Sequence, residues 1–185
     1  LNIPRILFLN KIDKAETRVM ESLKLLQPAS RIPLLLRQMP IWNGDIISGF
    51  ADLALERAYV YKEHAPSEIF ELAGDDLSRE KEARFQMLET LADHDDELME
   101  QLLEDIPPPR DKIFDDLAKE LRERVVCPVL LGVATRTNGV LRLLKALRHE
   151  VPDGAETAKR LGVKASGADV VAYVLKTQHT THGGK

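Results

Sequence analysis

The sequence IPRILFLNKID, residues 3–13, decides the fold that we predict for this chain. Residues 6–9 are apolar without polar alternation, which is typical of a strand buried on both faces of a parallel sheet. The mostly polar quartet Asn10-Lys11-Ile12-Asp13 follows at once. Open α/β sheets present their ligand-binding loops beyond the carboxyl ends of their strands. We therefore predict that residues 3–9 form a strand of a parallel sheet and that the quartet forms a binding loop.

The quartet carries the groups needed to read a guanine base. Guanine presents the donors N1–H and N2–H on one edge and the acceptors O6 and N7 on the other. The carboxylate of Asp13 can accept from both donors, whereas adenine presents the opposite pattern at that edge and would be rejected. The Asn10 amide can face N7 and connect neighbouring loops, and the Lys11 stem can lie on the purine. The alternative interpretation is a polar turn between a strand and a helix.

A second apolar stretch, residues 125–132, predicts another buried strand, and the sequence Gly132-Val133-Ala134-Thr135 ends it. A long mixed segment separates the two strands. Without that segment the chain is a strand–helix–strand–helix unit, in which the two strands can lie parallel and open their loops on the same edge. We therefore expect residues 10–13 beside residues 132–135, with a backbone N–H near Ala134 donating to guanine O6.

Helical and extended segments divide the rest of the chain. The signals are apolar residues at helical spacing, prolines, and the hairpin pair Asn43-Gly44. We predict helices over residues 16–27, from a Ser78 cap, over 97–103, over 111–124 and from Gly139. We predict strands over 32–41, 46–53, 58–61 and 169–177. The last helix should bury a core stripe of Val140, Leu143, Leu144 and Leu147. Residues 156–164 are polar and are expected to form a linker.

Composition limits the class of protein. The 185 residues have 44% hydrophobic content, which is enough to bury a core. Their net charge of −4 argues against a generally basic surface, so DNA is not expected as a partner. Cys127 is the sole cysteine and lies among apolar residues, which favours an inert thiol and a cytoplasmic location. No segment predicts a membrane span or a metal site. The chain starts at Leu1 without an initiator Met, which suggests a piece of a longer protein.

The chain resembles the translational GTPases, most closely elongation factor G and its paralogues. The matching residues are the N-K-x-D order of 10–13, residues 3–9 before it, 33–40, 52–53, 96–100 and 138–140. The resemblance implies an α/β fold, namely a partial P-loop GTPase fold of parallel strands with helices, carrying an inserted α/β subdomain. The implied divisions are the carboxyl-terminal half of a GTPase domain (1–30 and 125–153), the inserted subdomain (31–124), and a linker with the first strand of a β-barrel domain (154–185).

The resemblance also implies GTP or GDP as the ligand. The guanine-binding residues that it implies are Asn10, Lys11, Asp13, Val133, Ala134 and Thr135. The family's second loop usually carries Ser-Ala, so Val133 is a departure that removes a hydroxyl able to support Asp13. The chain contains neither G-x-x-x-x-G-K-[ST] nor D-x-x-G, the segments that cradle phosphates and hold Mg²⁺. We therefore expect that a longer parent protein hydrolyses GTP and that this chain alone does not.

An acidic region in the middle of the chain suggests a second role. Glu89, Asp93 and Asp96 are spaced i, i+4 and i+7, so they share one face if a single helix runs through them. In the resembled family a helix at this place meets the stalk protein of the large ribosomal subunit, which implies that these three residues contact the ribosome. The alternatives are a solvated helix face, a ribosome-binding module in which nucleotide is incidental, and a nucleotide-gated regulatory paralogue without efficient hydrolysis.

Overall fold

The computed structural model describes residues 3–14, 18–62 and 65–163. The chain divides into two units, the first ending at Val151 and the second beginning at Pro152. The strands of the first unit are β1 (Leu7–Asn10), β2 (Leu34–Leu36), β3 (Gln38–Asn43), β4 (Ile46–Asp52), β5 (Arg57–Lys62), β6 (Ala65–Phe70) and β7 (Cys127–Gly132). Its helices are α1 (Val19–Leu26), α2 (Gly74–Ala92), α3 (Asp96–Leu103), α4 (Arg110–Glu123) and α5 (Val140–His149). The described part of the second unit contains α6 (Gly154–Arg160).

Strands β1, β7 and β2 form a parallel sheet with β7 in the centre. The register of β1 and β7 runs from Leu7 opposite Val129 to Asn10 opposite Gly132. Every residue of β7 is buried, since this strand has a neighbour on each edge and packing on both faces, and its sequence is therefore apolar without alternation. The predicted parallel pairing of the two apolar strands is confirmed.

The prediction of one strand over residues 32–41 is wrong, because this segment supplies strands to two different sheets. Strand β2 pairs with β7, whereas β3 pairs with β4. Arg37 lies between them: its N–H donates to the carbonyl of Val129 at 3.0 Å, and its carbonyl accepts from the N–H of Leu53 at 3.1 Å. The buried Arg37 guanidinium pairs with Glu150 at 2.7 Å. These contacts to distant residues separate β2 from β3. The pattern of apolar residues within this segment could not predict them.

Strands β3, β4, β5 and β6 form an antiparallel sheet in chain order. The predicted hairpin at Asn43-Gly44 is confirmed: β3 and β4 meet there, and Gly44 has a φ of +62°, which glycine adopts without strain. Strand β6 has no counterpart among the predicted strands. It contains Pro66 and is largely exposed, as an edge strand can be, so its sequence has no apolar alternation to read.

A buried apolar cluster joins helices α2, α3 and α4 to the antiparallel sheet, with Met39, Leu91, Leu98 and Leu117 among its members. Helix α2 begins at Gly74, so the prediction that Ser78 caps this helix is wrong. The Ser78 hydroxyl lies inside the helix and donates back to the carbonyl of Gly74 at 3.5 Å. The predicted helices over 97–103 and 111–124 correspond to α3 and α4 within one residue at each end.

Helix α5 follows Gly139 as predicted, but only Val140 and Leu143 of the predicted core stripe are half-buried, and its other two members are exposed. Ala146 is the one buried residue of α5, while Leu144 is 54% and Leu147 is 42% exposed in the described chain. The side packed inward is therefore the one that carries Leu143 and Ala146, whereas Leu144 and Leu147 face away from it. Residues 154–160, expected to belong to a linker, form α6, which Asp153 caps by accepting from the N–H of Glu156 at 2.8 Å. The strand predicted over 169–177 lies outside the described residues.

Candidate functional site

The quartet and the loop after β7 meet at the carboxyl edge of the parallel sheet, because Asn10 and Gly132 are paired in register at the ends of their strands. Ile12 and Val133 anchor the two loops, being 4% and 3% exposed in the same apolar cluster. Asp13 lies beside Ile12 in a short 3-10 turn and is exposed. The apolar residues of each loop thus point into the core, while the polar residues remain at the surface.

The Asn10 side chain joins the two loops. Its Oδ1 accepts from the backbone N–H of Lys11 and from that of Ala134, each at 2.9 Å. Lys11 has a φ of +60°, a conformation that costs a non-glycine residue about 1 kcal/mol and that the Asn10 bond helps to hold. Both lone pairs of the Asn10 oxygen are used in this way, so its NH₂ group remains the part able to face a ligand.

The Ala134 N–H is therefore not free to donate to guanine O6, so the contact expected near Ala134 requires a neighbouring N–H. Ala134 opens a 3-10 turn, in which the first N–H groups have no helical partner. The neighbouring N–H of Thr135 makes no hydrogen bond within the described ranges, and this residue is exposed. Thr135 is thus the next backbone donor available to an acceptor at this edge.

Two glycines close the second loop tightly. Gly139 has a φ of +77°, and a Cβ there would lie 2.1 Å from the carbonyl oxygen of Leu131. A Cβ on Gly132 would lie 2.4 Å from the carbonyl oxygen of Asn138. Val133 is bound inside this loop, since its N–H donates to that same Asn138 carbonyl at 3.0 Å. Val133 therefore offers a ligand neither a side chain nor an N–H, although it was among the predicted site residues.

The three acidic residues predicted to share one helix face do not lie on one helix. Glu89 belongs to α2, Asp93 ends that helix, and Asp96 is the first residue of α3. The break occurs because Asp95 adopts an extended conformation and caps α3, accepting from the N–H of Leu98 at 2.9 Å. All three residues are exposed, so they remain available at the surface around the α2–α3 turn.

A network of charges lies between α3 and α4 and is not among the predicted sites. Lys112 Nζ donates to Asp95 at 2.6 Å and to Asp116 at 3.0 Å. The hydrogen bond from Lys112 lowers the pKa of Asp95, while burial raises the pKa of Asp116 despite the same lysine. The sequence does carry a sign of this network, because Asp116 and Glu120 lie beside the apolar residues of α4 on its buried face. Acids at such positions are expected to be buried.

Glu120 is the most unusual of these groups. It is 1% exposed, and neither carboxylate oxygen has a hydrogen-bond partner among the residues that the structure describes. Burial raises the pKa of Glu120 to about 8, and the nearby charge of Asp116 adds to the rise. A carboxyl group that stays protonated near neutral pH removes the need to bury a bare charge between the helices.

Comparison with known proteins gives sequence relatives and a structural neighbour, although no family model matches. An "Elongation factor G-like protein" of Synechocystis sp. is 40% identical over 182 residues, 98% of this chain. "Elongation factor G 1" of Borreliella burgdorferi is 33% identical over 153 residues, 82% of this chain. The chain spans about a quarter of these relatives, 27% and 22% of their lengths. A crystal structure from Thermus thermophilus shares the fold, with a TM-score of 0.73 and 24% identity over 87% of this chain and 24% of that one.

The parallel sheet with its paired loops, and the antiparallel sheet between them in sequence, define a mixed α/β fold, which the Thermus thermophilus structure shares. At 33% and 40% identity over 82% and 98% of its residues, the chain belongs to the elongation factor G family. None of the helices described between residues 3 and 163 has both the length and the apolar character needed to cross a bilayer.

Proposed function

We propose that this chain reads the guanine base for a longer, GTP-hydrolysing protein that acts in translation. The hydrogen bond from the Ala134 N–H to Asn10 Oδ1 carries the proposal, because it holds the two loops together at the carboxyl edge of the sheet. Around it, Lys11, Asp13 and Thr135 are exposed and free to meet a ligand. A polar turn with no ligand would not require a side chain that connects two loops so far apart in sequence.

The chemistry of these groups suits guanine. The Asp13 carboxylate supplies acceptors for N1–H and N2–H, and the Asn10 NH₂ group supplies a donor for N7. The Thr135 N–H supplies a donor for O6, in place of the occupied N–H of Ala134. The Lys11 stem covers the face of the purine. Adenine would place an amino group against the Thr135 donor, which favours guanine a second time.

Hydrolysis is proposed for the protein at the full length of its relatives. The sequence of this chain contains neither the phosphate loop G-x-x-x-x-G-K-[ST] nor D-x-x-G. Those segments bind the phosphates and Mg²⁺ and position the attacking water. We therefore assign base recognition to this chain and propose that its residues alone do not hydrolyse GTP.

The substitution Asp13→Asn tests the base assignment. An amide in place of the carboxylate offers a donor where guanine also offers donors, whereas xanthine offers an acceptor there. We expect calorimetry to show GDP binding weakened by about 100-fold, the equivalent of one or two charge-assisted hydrogen bonds, and xanthosine diphosphate binding strengthened. Asp45→Asn is the matched control, since Asp45 is an exposed acid at the β3–β4 turn.

Two results would contradict the assignment. One is equal loss of GDP binding in the Asp45→Asn control, which would indicate an effect of net charge. The other is a wild-type protein that binds both nucleotides alike, since the carboxylate then discriminates nothing. A switch of preference confined to the Asp13 variant supports the assignment.

We also propose a ribosomal contact through the exposed acids Glu89, Asp93 and Asp96, with the large-subunit stalk protein as partner and the cytoplasm as location. The observation that favours it is Phe85, which is 49% exposed and lies one turn before Glu89 on α2. An exposed aromatic beside acids is typical of a contact surface for a partner with basic and apolar groups. In this proposal residues 31–124 form the inserted subdomain. Residues 1–30 and 125–153, on either side of it in sequence, form the carboxyl-terminal half of the GTPase domain. Residues 154–185 form the linker and the first strand of the domain that follows.

Charge reversal tests this contact. The double substitution Glu89→Lys and Asp93→Lys should weaken binding to ribosomes by at least about tenfold, with a steeper loss at low salt. Asp75→Lys is the control, because Asp75 is exposed at the other end of the same helix. Ribosome binding that is unchanged in the double variant would refute the proposed contact.

A further inference from the structure

A cavity of about 850 Å³ lies in the first unit, away from the guanine loops. Strand β5 and helices α4 and α5 form its walls. None of the predicted guanine-binding residues lines it. Its volume is within the range of sites that take drug-sized and nucleotide-sized molecules.

Two aromatic rings line the cavity, and the structure holds both in place. Phe114 has the Arg37 guanidinium over its ring, with 5.8 Å between the guanidinium carbon and the ring centroid. Tyr59 stacks on Phe50 with 5.1 Å between ring centroids and 21° between ring planes. Rings fixed in this way offer a planar ligand a surface to stack on at little entropic cost.

Arg142 is a built-in donor at this cavity. Its Nε donates to the carboxylate of Asp52, which is completely buried. The other oxygen of Asp52 accepts from the N–H groups of Ala54 and Leu55 at 3.2 and 3.1 Å, so the acid that positions Arg142 is itself immobilised. Arg142 Nη2 is buried and has no hydrogen-bond partner in the part of the chain that the structure describes. A buried guanidinium nitrogen without a partner leaves the positive charge of Arg142 incompletely satisfied at the wall of the cavity, which favours an anion nearby.

The charges on the cavity wall also favour an anion. Three exposed cations, Arg57, Lys119 and Lys145, have no ion-pair partner within the described ranges. Of the wall acids, Glu150 is already paired with the buried Arg37 at 2.7 Å. In total, five cationic and three acidic side chains line the cavity, namely Arg57, Lys119, Arg122, Arg142 and Lys145 against Asp111, Asp115 and Glu150.

We propose that this cavity is a second ligand site, which binds a small phosphate-bearing molecule with a planar ring. Its ring stacks on Tyr59 and Phe114, and its phosphate accepts hydrogen bonds from Arg142 and ion pairs from Lys119 and Lys145. The site stands apart from the guanine loops, because a ligand held here needs no guanine edge. A bound ligand would contact both α4 and α5, since residues of both helices line the cavity.

Adenosine diphosphate and inorganic pyrophosphate are the probes, because the proposed guanine loops reject adenine. Each is titrated into the ¹⁵N-labelled chain while backbone amide shifts are followed. We expect saturable shifts at Tyr59, Phe114 and Lys145, and we expect adenosine diphosphate to bind at least about fivefold more tightly than pyrophosphate because of ring stacking. Shifts confined to residues 10–13, or equal affinity of the two probes, would overturn the proposal.

The double substitution Lys119→Gln and Lys145→Gln supplies the second test. It should weaken adenosine diphosphate binding by at least about tenfold, since two charge-assisted contacts are lost. Both lysines are exposed, so the variant should retain its fold, which circular dichroism checks. Lys81→Gln, a neutralised exposed lysine on α2, is the control and should bind like the wild type. Equal binding by wild type and the double variant, or equal loss in the control, would overturn the proposed site.

Discussion

The substitution Glu120→Gln should make the chain more stable at alkaline pH and leave its stability at acidic pH nearly unchanged. The Glu120 carboxyl is buried without a hydrogen-bond partner in the described structure, and burial raises its pKa from 4.5 to about 8. Because the folded state holds this proton more tightly than the unfolded state, the contribution of Glu120 to stability is complete below pH 4.5. It is lost progressively up to about pH 8.

The size of the effect follows from the shift. A rise from 4.5 to about 8 corresponds to about 5 kcal/mol of unfolding free energy at 1.36 kcal/mol per pKa unit. Local relaxation and water entry on ionisation reduce the realised cost, so we expect the wild type to lose about 2–4 kcal/mol through Glu120 between pH 5 and pH 9. The glutamine amide has the shape of the carboxyl group and no charge to bury, so the variant escapes this loss.

Urea denaturation between pH 5 and pH 9 measures the difference, with the fluorescence of Trp42 and far-ultraviolet circular dichroism as probes. The unfolding free energies of variant and wild type should agree at pH 5 within about 0.5 kcal/mol and diverge with rising pH. Glu123→Gln is the control, since Glu123 is an exposed acid on the same helix. If variant and wild type lose stability in parallel, folding does not raise the pKa of Glu120 and the reasoning is refuted.

Three further predictions concern stability and can be checked by the same denaturation assay. Gly139→Ala should cost about 3 kcal/mol, because its Cβ would overlap the Leu131 carbonyl, whereas Gly44→Ala, with open space around it, should cost only about 1 kcal/mol; equal costs would contradict this. Arg37→Met should cost about 3–5 kcal/mol by leaving Glu150 buried and unpaired, and a further Glu150→Leu should recover part of the loss. Asp95→Ala should cost about 1–2 kcal/mol through loss of the α3 cap, and no change would exclude that role.

Much of the fold could be predicted because its signals are local. Strand β7 is apolar because it is buried on both faces, the β3–β4 hairpin has an Asn-Gly turn, and α3 and α4 have regular apolar stripes. The predictions were wrong where contacts with other residues determine the ends of a strand or helix. Arg37 separates two strands through bonds to Val129 and Leu53, and Asp95 breaks a continuous acidic helix by capping a new one.

The candidate site divides in the same way. Asn10, Lys11 and Asp13 were proposed because their types and order match the chemistry of a guanine edge, and their position at the end of a strand was predicted from the apolar residues before them. The positions of Val133 and Ala134 could not be predicted in this way. Val133 is buried, and the Ala134 N–H donates to Asn10, which lies 124 positions away in sequence. Residue type shows which groups are available, but only the folded backbone shows which of them are already used.

The sequence by itself determined the two parallel strands, the placing of both loops on one edge of their sheet, and the polar residue types that those loops carry. Periodicity and strand direction settle those features within a few residues. Only the tertiary structure decided that Asn10 occupies the Ala134 N–H, that Glu120 is buried without a partner in the described chain, and that Arg142 is held by Asp52 at a second cavity. Those features depend on hydrogen-bond competition and desolvation, which arise only when distant segments exclude water together.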